Sequence, residues 1–334
     1  MLIEPKKRIA LKWKNVRKSL ISGAIIEAWR QLRRIKKSAE SPWSRSPRED
    51  HLRGIDFYAP SQLKWIMATA MRDYRRAHGH YPDIQNPKTY NEKIFWFKFF
   101  GEIKNGLTGN KLRTSELLPE SLRSEIRAPR VVWHSPKAKL PENDTIPPGY
   151  YYFKVSHGSG MFQRVQYPLT AKEKSELQAK GQSWLNSEYG LKKGEWWYST
   201  FDPELLLEED VCKEAGSISW HFTVLNGTIA MITLRIKFPS NEGTLIRLDP
   251  DFKPMKSESG SLSEFVTEMP ACKDQMTEAA LEIGKQLNAV RVDFLVGADG
   301  QPYIGELTFA PGDALTQRHP DLELMLGTHW SILR

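Results

Sequence analysis

The chain has 334 residues, 40% hydrophobic and 11% aromatic, enough to bury the core of one large or two modest domains. Its two cysteines, Cys212 and Cys272, exclude a disulfide framework and a thiolate zinc site, and suit a reducing compartment. Much of the net charge of +8 lies in the first 60 residues, and no apolar run reaches membrane-spanning length.

Residues 1–60 form a basic extension and linker. "PKKRIALKWKNVRKSL" and "WRQLRRIKK" suit either a solvated helical face or the surface of an anionic membrane. Nucleic acid is the poorest partner, because aromatic residues do not interleave with the basic ones as a stacking platform needs. The apolar patch Leu20–Ala28 contains Glu27 and lacks a small-residue cleavage site, so it does not read as a signal peptide. Three prolines between residues 41 and 60 mark a linker.

Residues 61–150 read as mainly helical. Leu63, Ile66, Met67, Ala70 and Met71 recur at helical spacing. Asn86-Pro87 marks a turn, and Thr89 or Asn91 is placed to cap a helix through Ile94, Phe95, Phe97 and Phe99. A proline-rich connection fills 134–149. The strand "YYYFKVS" then runs into "HGSG", a helix is expected over 171–187, and "ELLLEEDV" is an apolar strand ending in acids. A hairpin turns at Asn226-Gly227. Residues 257–264 are a polar loop, and 272–288 form an amphipathic helix with Met276, Ala280, Ile283 and Leu287 on one face. Helices alternating with antiparallel hairpins predict an α+β fold.

The chemistry concentrates in two stretches. In "RVDFLVGADGQPYIGELTFAPG", a two-residue type I′ turn at Asp299-Gly300 places Asp293 directly opposite Glu306 and Arg291 opposite Thr308. Facing carboxylates repel unless a cation sits between them, and a hard divalent ion takes such oxygen ligands. A solvated hairpin with scattered charges is the other reading. In "FKVSHGSG", a strand delivers Lys154 to a turn with Gly158, Ser159 and Gly160. Backbone N–H groups of such a turn can cradle phosphate, with lysine adding charge; a plain loop fits the pattern equally. His157 suits a phosphate contact or an ordinary loop hydrogen bond.

The order of these parts resembles the ATP-grasp superfamily of carboxylate–amine ligases. Within it, "NPKTYNEKIFWFK", "YYFKVSHGSG", "LLLEED", "VRVDFL" and "GELTFAPG" resemble in order the blocks of the TupA-like group of polysaccharide-biosynthesis proteins. The resemblance spans roughly residues 60–330. It implies two α+β subdomains clasping ATP, a small one at 151–211 and a large one at 212–334. It implies that Lys154 binds ATP phosphates and that Gly158, Ser159 and Gly160 close over them. Glu208 and Glu209 would line the adenine and ribose pocket, and Lys111 would be a second nucleotide lysine. Asp293 and Glu306 would hold Mg2+, with Thr308 where many ATP-grasp enzymes carry a metal-binding Asn. Arg291 would face the transferring phosphate. Arg235 and Lys237 leave the Asn226-Gly227 hairpin near the expected acceptor site, as an anion subsite or as a basic strand end; His221 stands where the group has a lysine.

The implied reaction is ADP-forming ligation of a carboxylate to an amine, the carboxylate being a uronic acid of a cell-surface glycan. A kinase acting on a sugar hydroxyl and a non-catalytic nucleotide-binding protein docked on a membrane remain open. The expected location is cytoplasmic, with peripheral contact to the inner face of the membrane through residues 1–40.

Overall fold

The computed structural model describes residues 18–38, 40–213, 217–237, 243–255 and 269–332. The basic stretch before residue 18 and the polar loop at 257–264 lie outside the described residues. In chain order the elements are α1 (Lys18–Lys37), β1 (His51–Leu52), α2 (Gly54–Phe57), α3 (Pro60–His78), α4 (Tyr90–Phe100), β2 (Ile103–Lys104), β3 (Val131–Ser135), β4 (Gly149–Val155), β5 (Phe162–Tyr167), α5 (Ala171–Leu185), β6 (Leu205–Glu209), β7 (Ser217–Leu225), β8 (Thr228–Lys237), β9 (Gly243–Leu248), α6 (Lys273–Lys285), β10 (Ala289–Val296), β11 (Pro302–Thr308) and α7 (Pro320–His329).

Two antiparallel sheets carry the α+β architecture. One has the order β3-β6-β4-β5, the other β11-β10-β7-β8-β9, and β1 pairs with β2 alone. In the first, alternate residues Tyr151, Phe153, Val155, Leu205 and Leu207 are buried in a small core of their own. Their neighbours Tyr152, Lys154, Leu206 and Glu208 share the opposite face. In the second, Val290, Val292, Phe294, Trp220, Phe222 and Val224 are buried, and α6 packs on β7, β8 and β10 through Met276, Ala280 and Ile283. The complementary face carries Arg291, Asp293, His221 and Thr223.

The helical layer is locked by local chemistry. Thr89 caps α4, its hydroxyl accepting from the Glu92 N–H while Glu92 reaches back to the Thr89 N–H. Nearly every α4 residue is buried, including the whole Lys98 side chain, so the aromatic stripe is core. α1 is part of the fold: Ala24, Ala28, Leu32 and Ile35 are buried, α1 packs on α3, and Gln31 bonds both the Pro82 carbonyl (3.0 Å) and the Ile84 N–H (2.9 Å).

Both hairpin turns are where the sequence puts them, but one differs in form. Asn226 and Gly227 adopt φ 49° and 75°, the paired left-handed conformation of a two-residue turn. The last hairpin instead closes with the Gly297 N–H on the Gln301 carbonyl (2.9 Å), leaving Ala298, Asp299 and Gly300 as a three-residue loop with Gly300 at φ 75°. Val296 therefore pairs with Pro302 and Phe294 with Ile304, one residue off the type I′ register. A bulge between Asp293 and Phe294, at Gly305, restores the register, so Asp293 still faces Glu306 and Arg291 faces Thr308.

Candidate functional site

On the first sheet, β4 brings Lys154 to the open face. Its ammonium donates to Glu208 Oε1, diagonally across on β6, and lies 5.3 Å from the Tyr152 ring centroid. Glu209, one residue on, points the other way and pairs with Arg130 at the surface. The chain after β4 turns through His157-Gly158-Ser159-Gly160. Gly158 and Gly160 take φ 80° and 76°, and a Cβ at Gly158 would lie 2.6 Å from the Tyr189 ring. His157 is buried; its Nε2 faces the Ser187 carbonyl at 3.2 Å, while Nδ1 has no partner among the described residues. Burial and then the Lys111 charge push its pKa down, against the Ser187 contact.

On the second sheet, side chains form two rows across three strands. His221, Asp293 and Glu306 make one row; Thr223, Arg291 and Thr308 make the other. Arg291 grips Asp293 bidentately, Nε to Oδ1 at 2.7 Å and Nη2 to Oδ2 at 2.6 Å, and Nη2 also donates to Thr308 Oγ1 at 3.1 Å. Burial opposes the guanidinium charge, but Asp293, with Glu306 adding, outweighs it and raises the Arg291 pKa. His221 Nε2 lies 3.8 Å from Asp293 Oδ2. Arg235 is exposed on the same side of β8, opposite Ser219; the Lys237 side chain lies outside the described residues.

Lys111 joins the two halves. It opens a 3-10 turn, Lys111–Leu117, whose first N–H donates to the Ser156 carbonyl at 2.9 Å. Its ammonium donates to the Gly158 carbonyl and stands 4.0 Å from Glu306 Oε1. Burial lowers its pKa, with Lys154 adding to the fall and Glu306 and Glu208 opposing. Lys111, Lys154, the glycine turn, Arg291, Asp293 and Glu306 thus belong to one neighbourhood built by three separate segments. Sequence reasoning missed a second charged cluster beside it, Glu195 with Lys98 and Asp313: their residues are separated by about a hundred positions each, and no motif links them.

The donor set suits magnesium and nucleotide. No group of three or more His, Cys, Asp or Glu among the described residues forms a metal cage. Magnesium, however, uses one or two carboxylates and completes its shell with water and phosphate. Glu306 is about one-third exposed, and its one charged neighbour within 4.0 Å among the described residues is Lys111. Asp293 keeps free lone pairs beside the Arg291 fork.

The family model for TupA-like ATPgrasp matches residues 133–330, more than half of the chain. The chain belongs to the TupA-like ATP-grasp family. No curated protein matches it. Among solved structures it is similar to the ATP-grasp ligase PsnB complexed with a minimal precursor, at 15% identity and TM-score 0.33, covering 60% of this chain and 52% of that one. It is also similar to an L-amino acid ligase from Bacillus licheniformis (13% identity, TM-score 0.39, 67% of this chain and 45% of that one). A third is the VanG D-Ala:D-Ser ligase from Enterococcus faecalis (14% identity, TM-score 0.39, 67% and 61%). The chain thus spans about half of the length of the first two and three-fifths of the third.

Proposed function

We propose that this TupA-like ATP-grasp protein is an ATP- and magnesium-dependent ligase that activates a carboxylate as an acyl phosphate and joins it to an amine. The observation that carries the reading is the convergence of Lys111, Lys154 and the glycine turn with the Arg291–Asp293–Glu306 row. Lysines and backbone N–H groups can bind the phosphates of ATP between residues 151–211 and 212–334. Asp293 and Glu306 would hold Mg2+, which supplies Lewis-acid neutralisation of phosphate charge when bound. Arg291, fixed by its fork on Asp293, presents its guanidinium toward the same charge. The substrate carboxylate oxygen attacks the γ-phosphorus and the bond to ADP breaks. The glycine turn closes over the product acyl phosphate and keeps water out.

By the family context the carboxylate is a uronic acid of a cell-surface or exopolysaccharide, and exposed Arg235 on the site side of β8 suits its negative charge. A kinase acting on a sugar hydroxyl would use the same nucleotide residues but would release no inorganic phosphate. The deciding experiment measures ADP and phosphate release with MgATP, D-glucuronate and hydroxylamine. ADP, phosphate and a hydroxamate together support ligase chemistry; a phosphorylated sugar without free phosphate supports the kinase.

Peripheral membrane contact has its own observation. α1 exposes Ile26 (66%) and Trp29 (48%) beside Arg30, Arg33 and Arg34, with Arg33 5.2 Å over the Trp29 ring. An apolar and basic helix surface of this kind suits the cytoplasmic face of an anionic bilayer. No described helix is long and apolar enough to cross a membrane.

A further inference from the structure

His157 carries a buried nitrogen with nothing to bond. The residue is 3% exposed, and its Nδ1 has no hydrogen-bond partner among the described residues. The other ring nitrogen decides the tautomer. Nε2 faces the Ser187 carbonyl at 3.2 Å and Ser187 Oγ at 3.3 Å. A carbonyl only accepts, and the Ser187 hydroxyl already donates to the Trp184 carbonyl at 2.8 Å, so Nε2 carries the hydrogen. In the neutral ring Nδ1 is then a lone pair. The two ring nitrogens diverge, so it is aimed away from Ser187. Leaving a buried polar atom unpaired is costly, and each such atom in a native fold calls for a reason.

The place of this atom in the fold supplies one. The Val155 N–H donates to the Met161 carbonyl at 3.4 Å and closes the turn between β4 and β5, with His157 inside it. Ser156, His157 and Gly158 are buried while Ser159 and Gly160 are exposed, so the turn has a buried root and an exposed tip. Ser187 holds His157, the Tyr189 ring lies against Gly158, and the Lys111 ammonium donates to the Gly158 carbonyl. His157 is thus one residue from the carbonyl that Lys111 grips. A neutral Nδ1 cannot donate to a phosphate oxygen, and two acceptors repel. A protonated Nδ1 gives a charge-assisted hydrogen bond. We infer that ATP binding draws a proton onto His157 Nδ1, which then donates to a phosphate oxygen, so that nucleotide affinity is linked to pH through this one ring. This rests on the reading of the turn as the phosphate site. A solvent hydronium supplies the proton: its O–H bond breaks, the Nδ1 lone pair forms the new N–H bond, and water leaves.

The surroundings suit such a switch. Burial pushes the His157 pKa below the ordinary imidazole value; the Ser187 carbonyl opposes, and the Lys111 ammonium adds to the fall. The ring is therefore neutral at pH 7. Phosphate brings negative charge to the ring and offsets Lys111, and both effects raise the pKa. The sign is fixed: protons are taken up on binding, and affinity strengthens as pH falls. Lys111 is the charged group that bears on the ring. Tyr189, on the segment after α5, is pushed up by burial to about 12 and stays uncharged.

The test is 15N NMR of the full-length protein labelled in histidine, near neutral pH, with MgAMPPNP as the probe and adenosine as the phosphate-free control. His157→Gln keeps a donor where Nε2 stands and has none at Nδ1, and it assigns the resonances; His157→Asn assigns them if the first variant does not fold. Without a probe the expected spectrum is a neutral ring protonated on Nε2. With MgAMPPNP both nitrogens should move to the protonated position, and with adenosine neither should move. Calorimetric titration of MgAMPPNP in buffers of different ionisation heat should show proton uptake by wild type that His157→Gln loses. Equal uptake in the two proteins would give the proton to another group, such as Lys111, and overturn the inference. A response to adenosine as large as that to MgAMPPNP would also overturn it. Thermal melts with MgAMPPNP judge the nucleotide reading separately. No stabilisation of wild type sinks that reading and the inference with it. Stabilisation with an Nδ1 that stays unprotonated sinks the inference alone and leaves the nucleotide site standing.

Discussion

Lys111 and Glu306 meet at 4.0 Å across the junction of the two sheets, and the same Lys111 ammonium donates to the Gly158 carbonyl. One side chain thus ties the glycine turn to the β10–β11 hairpin. Lys111→Met should remove a charged contact to phosphate and free the turn. A charge-assisted hydrogen bond contributes about 1.5–3 kcal/mol, so ATP affinity should fall roughly 10- to 100-fold. Calorimetric titration of MgATP checks this, and an unchanged dissociation constant removes Lys111 from the site. Because burial lowers the Lys111 pKa, its contribution to ATP binding should fade at lower pH than that of a solvated lysine.

Asp293 and Glu306 should separate in their cost to stability. Glu306 is about one-third exposed and its substitution by Gln should leave the fold within about 0.5 kcal/mol of wild type. Asp293→Asn strips the Arg291 fork of its charged partner and should destabilise by about 1.5–3 kcal/mol. Both should abolish the magnesium-dependent part of the thermal shift with ATP. In wild type, ligand at 100 times its dissociation constant stabilises by ~2.7 kcal/mol. An equal magnesium-dependent shift in Glu306→Gln would remove Glu306 from the metal site.

The same two residues show what the sequence reveals and what it hides. Their opposition follows from strand alternation, yet the route to it is not the expected one. The loop Ala298-Asp299-Gly300 displaces the register by one residue and the Gly305 bulge puts it back. Asp-Gly suits both turn types, and a glycine within a strand signals a bulge only once its partner is known. Strands with alternating apolar residues were legible; β5, "FQRVQY", with Val165 and Tyr167 its buried positions, was not. Glu195, Lys98 and Asp313 escaped notice because each is ordinary in its local context. Only tertiary packing makes Lys98, on a helix buried all round, the partner of a loop more than 200 residues away.

The α1 surface gives a prediction independent of the nucleotide site. Trp29→Ala and Ile26→Asp alter exposed positions, so thermal stability should change little. Sedimentation with vesicles containing phosphatidylserine should fall for both, and wild-type binding should weaken with added salt. Equal sedimentation of wild type and the double variant would assign the basic helix to solvent.

Glu195 predicts a pH dependence whose sign is fixed. Its folded pKa is raised from 4.5 to about 7. Between those values the folded chain holds a proton that the unfolded chain has lost. The stability this confers is fully present below the unfolded value and is lost as pH rises through the folded one. At 1.36 kcal/mol per pKa unit, the loss is on the order of 3 kcal/mol. Glu195→Gln is neutral at every pH and has nothing to lose. It should match wild type near pH 4 and exceed it at pH 8, with the difference growing between those limits. Urea unfolding of both proteins across this range measures the difference directly. A constant gap from pH 4 to 8 would mean that Glu195 ionises in the folded protein as it does in water, by way of a water-filled pocket that screens it from Asp313.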